Sequence, residues 1–370
     1  MKERFEVLDI FRGIFASLVV LFHASAFSAT PLINNSFIKH SDLFVDFFFI
    51  LSGFVIAYSY QYITSGHDLK RFYSKRVYRL YPLHLAVLLV FIAIELLKGA
   101  ASHYVHVNKL VNESNNLYTV LTNLLLLNSV KFPFVHDVSW NIASWSISAE
   151  MISYLLFGLT VAAINRSGLA KNRNAVYILV VFIAAGLLYF FTGNFKLTYN
   201  FDYGFLRGTT GFFIGVICYN TYQATKKIQS KLSSLTYHVL EPVLFFGTLV
   251  MVYYGGIYEN QGFIYEILFF ANVLLFASQK GWLSKWLMKS QLLHQTGKYS
   301  YSIYMTHTLM LSLFNIVFIR VLKFPPSAYS YLIILNYLLI YFVSAWTFKN
   351  IEMRFNQVPQ QKGKKVWWLW

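Results

Sequence analysis

Leu8-Asp9-Ile10-Phe11-Arg12-Gly13-Ile14-Phe15-Ala16-Ser17-Leu18-Val19-Val20-Leu21-Phe22-His23 decides how the rest of the chain is read. The run approaches the roughly 20 mostly apolar residues that a membrane-spanning helix needs. It also holds Arg12 and His23, which are costly in lipid and point to function when they occur there. A cleavable leader has no use for such residues, and no convincing small-residue cleavage site follows. The run is therefore expected to be a retained first helix. Eleven residues at about 100° each make three turns plus about 20°, so Arg12 and His23 share one face, about 16 Å apart along the axis. Ala16 lies between them, and its small side chain leaves room for a ligand.

Composition supports the membrane reading. Hydrophobic residues make up 57% of the 370 and aromatic residues 19%, while only 12% are charged; the mean hydropathy is +0.50. Soluble domains carry about a quarter charged residues, so this chain has too little polar surface to cover a water-soluble globule. The net charge of +16 sits in short clusters between apolar runs. That suits a cytoplasmic membrane surface and its lipids and gives no basic, aromatic-interleaved face for nucleic acid. The single Cys218 rules out an intrachain disulfide and a multi-cysteine metal site. Neither magnesium nor zinc is implied.

Ten segments have spanning character: 8–27, 44–62, 79–97, 145–164, 175–192, 205–222, 239–255, 262–278, 300–319 and 329–348. A shorter apolar stretch, 117–129, leads into 131–140 with its proline and tryptophan, and 117–140 reads as a re-entrant or interfacial element. Ten spans with both termini cytoplasmic put most of the 31 Lys and Arg residues inside, including Lys70-Arg71, Lys75-Arg76 and Lys226-Lys227, as the positive-inside rule requires. An eleventh span at 117–129 would reverse every later cluster. The expected fold is an all-α integral membrane protein of about ten helices. Residues 1–355 would form one membrane-embedded domain and 356–370 a short basic tail, with Trp367, Trp368 and Trp370 as an interfacial anchor.

Ionisable residues within or beside these runs are the site candidates: Asp9, Arg12, His23, Asp46, Arg76, Arg79, Glu150, Arg207 and His307. Structural ion pairs or snorkelling end residues are the alternative reading, above all for Arg76, Arg79 and Arg207 near expected span ends. Glu150 enters its span from outside and reaches a depth of roughly 8 Å, comparable with His23. Asp46 begins the second span on the same side. Either carboxylate could fix the His23 tautomer and stabilise its imidazolium. Arg76 and Arg79, one turn apart beside Tyr81-Pro82, form a cationic face suited to phosphates or to anionic headgroups.

At these residues the chain resembles the acyltransferase 3 family. The stretch 8–13 with His23 matches the family's arginine, ten residues, histidine pattern. Residues 43–54 resemble its second-span motif, and Arg76-Val77-Tyr78-Arg79-Leu80-Tyr81-Pro82 its arginine pair. Trp145-Ser146-Ile147-Ser148-Ala149-Glu150 resembles its Trp-Ser-Leu-Ser-x-Glu element, and 297–307, ending in His307, its last signature.

The resemblance implies an enzyme moving an acyl group, usually acetyl, from acyl-CoA to a hydroxyl of a glycan, a lipid-linked sugar or a small molecule. It implies His23 as the catalytic histidine with Arg12 as its motif partner, Arg76 and Arg79 as CoA-binding residues, and Glu150 as an essential acid. Acetyl-CoA is then the expected co-substrate, a surface polysaccharide or lipid-linked sugar the acceptor, and the cell's inner, cytoplasmic membrane the location. Glu352-Met353-Arg354-Phe355 lacks the proline that the family often has there, and no esterase-like domain is expected. His23, oriented by Glu150 or Asp46, would deprotonate the acceptor or carry the acyl group. The rival is a secondary transporter using the same charges as a relay, but no repeat of the Arg12–His23 pattern supports it. A non-enzymatic scaffold is the third reading, and it would need neither His23 nor Glu150.

Overall fold

A computed structural model describes residues 4–101 and 112–355. The tail 356–370 with its tryptophans lies outside the described residues. Among those residues the structure is helical, apart from one isolated bridge between Phe195 and Gln261. In chain order the α-helices of eight residues or more are α1 (Glu6–Ser25), α2 (Phe44–Tyr60), α3 (Gly66–Ala101), α4 (Leu117–Leu124), α5 (Ser144–Arg166) and α6 (Arg173–Thr192). They continue with α7 (Gly204–Lys231), α8 (Ser234–Tyr253), α9 (Phe263–Phe276), α10 (Gln291–Lys298), α11 (Ser300–Asn315) and α12 (Tyr329–Thr347).

Every one of the ten expected segments is helical, and among the described residues eight helices are long and apolar enough to cross a membrane. The other two depart for different reasons. Helix α9 is apolar but only 14 residues long. Helix α7 has 28 residues but carries many polar ones, and it packs against α2, α5, α6 and α9. A helix sheathed by other helices has little need of an apolar surface.

Close packing of α2 on α7 depends on missing side chains. A Cβ on Gly53 would strike the Phe212 carbonyl, and one on Gly215 would strike the Ile50 carbonyl. Small residues of this kind let membrane helices approach backbone to backbone. Helix α1 lies inside the bundle, between α10, α11 and α2. Its Phe15 stacks on Phe44 at 4.1 Å between centroids. Arg12 and His23 therefore face protein.

Helix α3 begins at Gly66, well before the expected residue 79, and runs for 36 residues. Hydropathy registers only its apolar part, whereas Lys70, Arg71, Lys75 and Arg76 are good helix formers and extend it. Arg76 and Arg79 consequently lie within the helix and not at its end.

The 117–140 region forms the one short helix α4, followed by irregular chain up to α5. Leu126, Phe134 and Trp140 have positive φ there (53°, 65° and 56°). Buried irregular backbone must find hydrogen-bond partners, and the serines of α5 supply several. The Ser148 hydroxyl donates to the Leu126 carbonyl at 2.7 Å and meets the Ser129 hydroxyl at 2.8 Å. The serine-rich start of α5 is thus the seat of this segment.

Candidate active site

Helices α1, α2, α3, α5 and α11 line a partly open cavity. Arg12 and Ala16 come from α1, as the shared stripe predicts, Arg76 and Arg79 from α3, and Glu150 from α5. The lining thus carries three guanidinium groups and one carboxylate. A second, partly open cavity shares Arg12, Arg79 and Tyr301 with the first, and adds Arg4, Lys298, Asp9 and Glu352. The two adjoin at these shared residues, and both are rich in cations.

Local contacts hold these groups. Asp9 lies 3.8 Å from the Arg12 guanidinium and 3.6 Å from that of Arg4. Arg76 donates to the Tyr60 hydroxyl at 3.3 Å, with its guanidinium 5.3 Å from the Tyr60 ring centre and 5.8 Å from that of Tyr154. Glu150 accepts hydrogen bonds from Ser52, at 2.5 Å, and from Tyr154, one turn along its own helix. Glu352, on a π-helical turn (Phe348–Glu352) after α12, accepts from Ser302.

Neither carboxylate expected beside His23 contacts it. Glu150 is held by Ser52 and Tyr154 as described. Asp46 forms a two-pronged ion pair with Arg207, at 2.8 and 2.6 Å, and the Arg207 guanidinium lies 5.0 Å from the Trp145 ring centre. Asp46 is 0% exposed and Arg207 3%. This pair ties α2 to α7, and Trp145 covers it. The expectation of a histidine–carboxylate pair is corrected: depth along a helix places residues in one layer but says nothing about which helices adjoin.

The partner of His23 is His307, on α11. His307 Nε2 lies 3.2 Å from His23 Nδ1, and the ring centroids are 4.8 Å apart. His23 Nδ1 also lies 3.0 Å from the Val19 carbonyl, and His307 Nδ1 2.6 Å from the Tyr304 carbonyl. Ser146 donates to the Tyr304 hydroxyl at 2.8 Å, so the α5 motif reaches the backbone turn that holds His307.

Sequence reasoning passed over Ser52, Tyr154, Tyr304 and Asn141. Spacing offered a signal for some: Tyr154 is one turn beyond Glu150, and Tyr304 one turn before His307. Asn141 offered none. It lies in the irregular segment, donates to the Met305 carbonyl at 3.1 Å and accepts from Thr308 at 2.6 Å.

His23 and His307 line neither cavity; the pair stands behind Tyr304, a lining residue whose ring centre is 5.7 Å from that of His307. A bundle of long apolar helices around a cationic cleft defines a multi-pass membrane protein. The chain belongs to the acyltransferase 3 family, whose profile, described as an acyltransferase domain, matches residues 5–351. Among its relatives, "Putative acetyltransferase ORF330" of Acidianus two-tailed virus is 26% identical over 314 residues, covering 82% of each chain. "Protein 2 in picA locus" of Rhizobium radiobacter is 30% identical over 160 residues, covering 40% of this chain and 78% of that protein. No solved structure matches. The protein is a membrane acyltransferase, and it requires an acyl donor and an acceptor.

Proposed function

We propose that this protein moves an acyl group, acetyl in the first instance, from cytoplasmic acyl-CoA to a hydroxyl of a cell-surface polysaccharide or lipid-linked sugar. In this reading the chain crosses the cell's cytoplasmic membrane ten times, with α7 and α9 completing the count and both termini inside. One observation carries the reading: two adjoining cavities meet at Arg12 and Arg79. Phosphates are held by charge-assisted hydrogen bonds, and arginine offers the best fork for them. Arg12, Arg76 and Arg79, with Arg4 and Lys298 toward the second cavity, would take the phosphates of CoA. The pantetheine arm then follows Ala16 along α1 toward His23.

His23 keeps Nδ1 engaged with Val19 and His307, so Nε2 is the nitrogen available for chemistry. As general base, Nε2 takes the acceptor hydroxyl's proton while the oxygen attacks the thioester carbonyl. The carbon–sulfur bond breaks, and the same proton passes to the departing thiolate to give CoA thiol. As covalent carrier, Nε2 attacks the thioester carbonyl and expels the CoA thiolate; the acceptor hydroxyl then attacks the acyl-imidazolium, the ring leaves as neutral imidazole, and the hydroxyl proton passes to the thiolate to give CoA thiol. Glu150 acts at the arginine end in either route.

Mass spectrometry of surface polysaccharides from a strain lacking the gene tests this. Loss of O-acyl groups is expected, with restoration by the wild-type gene and none by the His23→Ala gene. Unchanged O-acylation in the deletion strain would remove surface glycans as the acceptor.

A further inference from the structure

We propose that His307 is the positioning residue of His23: its neutral ring accepts a hydrogen bond from His23 Nδ1–H and so presents Nε2 to the reacting groups. The proposal deepens the function above and rests on His23 being the residue that reacts.

The proton positions follow from what each partner can do. A carbonyl oxygen only accepts, so the 2.6 Å contact with the Tyr304 carbonyl puts a proton on His307 Nδ1. The 3.0 Å contact with the Val19 carbonyl likewise puts one on His23 Nδ1. In a neutral imidazole the second nitrogen is then a lone pair. His307 Nε2 therefore accepts, and His23 Nδ1–H is shared between it, at 3.2 Å, and Val19. The opposite arrangement, with His307 Nε2 donating, would turn a His23 lone pair against the Val19 carbonyl oxygen. A single protonation pattern satisfies all three contacts with both rings neutral.

The surroundings hold His307 in this role. It is 0% exposed. Asn141 from the irregular segment grips the Met305 carbonyl and the Thr308 hydroxyl, on either side of it in the chain. The α11 backbone is thus pinned where the ring must stand. When Nε2 of His23 takes the hydroxyl proton, the resulting imidazolium donates more strongly through Nδ1 to His307. In serine hydrolases a buried aspartate does this for its histidine; here a second imidazole does it. No proton leaves the pair by this route, and the one on Nε2 returns to the thiolate.

The test uses the full-length chain in inside-out membrane vesicles from a strain lacking the native gene, supplied with radiolabelled acetyl-CoA. Label in the glycan fraction gives turnover, and filter binding of acetyl-CoA gives affinity. His307→Leu should lower turnover about 100-fold while acetyl-CoA affinity stays within about twofold. His307→Gln, whose side-chain oxygen can accept from His23, should keep several times the activity of the Leu variant. Wild-type turnover in His307→Leu, with His23→Ala inactive, would overturn the role of His307 and leave the proposed function standing. Equal losses in the Gln and Leu variants, with acetyl-CoA binding lost as well, would also overturn it by showing a purely structural role. Wild-type turnover in His23→Ala would bring down both readings.

Discussion

Two of the buried sets of charges among the described residues are built to opposite plans. At Asp46 and Arg207, one carboxylate meets one guanidinium through two short hydrogen bonds, with Trp145 packed over them and almost no exposure. At Arg12, Arg76 and Arg79, three guanidinium groups share a cavity lined by one carboxylate, and that carboxylate is bonded by hydroxyls. A bidentate pair in a filled space makes a fastening. Excess charge around an open space makes a binding site. The residue types are the same, and geometry separates the roles.

Breaking the fastening should produce the largest change in stability. Arg207→Ala strands the Asp46 carboxylate in the interior, and losing one partner of a buried pair costs about 3–5 kcal/mol. Thermal unfolding in detergent should show a clear drop in Tm. Asp46→Leu with Arg207→Met should recover much of the loss, since well-packed apolar substitutes for buried pairs are often neutral. Equal Tm for Arg207→Ala and wild type would mean that the pair fastens nothing.

Next in size is the helix contact beside it. Gly215→Val places side-chain carbon against the Ile50 carbonyl, and overpacking of this kind costs typically 1–3 kcal/mol. The same Tm measurement checks it, and an unchanged Tm would show that α2 and α7 have room to separate.

The binding site should respond differently. Arg79→Ala, at the junction of the two cavities, should weaken acetyl-CoA binding by about 10- to 100-fold, as expected for one charged hydrogen-bonding partner of about 1.5–3 kcal/mol. Its Tm should stay close to wild type. Calorimetric titration with acetyl-CoA and with dephospho-CoA separates the contributions of the phosphates. A large fall in Tm with unchanged affinity would reverse the assignment of the two charge sets. Smallest of all, Lys298→Ala should weaken binding a few-fold at low salt and almost not at all at 0.5 M, because charges at an open edge are screened.

The contrast between these clusters also marks how far the sequence could be read. The period of a helix put Arg12, Ala16 and His23 on one face, and the structure keeps Arg12 and Ala16 together on the cavity wall. Spacing carried that because the three residues share one helix. Arg207 is 161 residues from Asp46, and His307 is 284 from His23. No period connects such pairs, and only the packing order of the helices brings them together. Hydropathy found the helices but misplaced the start of α3, where charged helix formers prolong an apolar core. In α7 the residues 204–222 are largely covered by neighbouring helices, so their polar members tell nothing about what surrounds the bundle.

The central claim is that acyl-CoA held by the arginine cleft delivers its acyl group to chemistry at His23. Transfer of label from radiolabelled acetyl-CoA into membrane glycans, compared between wild type and His23→Ala at matched protein levels, tests it most directly. Transfer should fall by about three orders of magnitude in the variant while acetyl-CoA binding and Tm remain those of wild type. Wild-type transfer by His23→Ala would contradict the account.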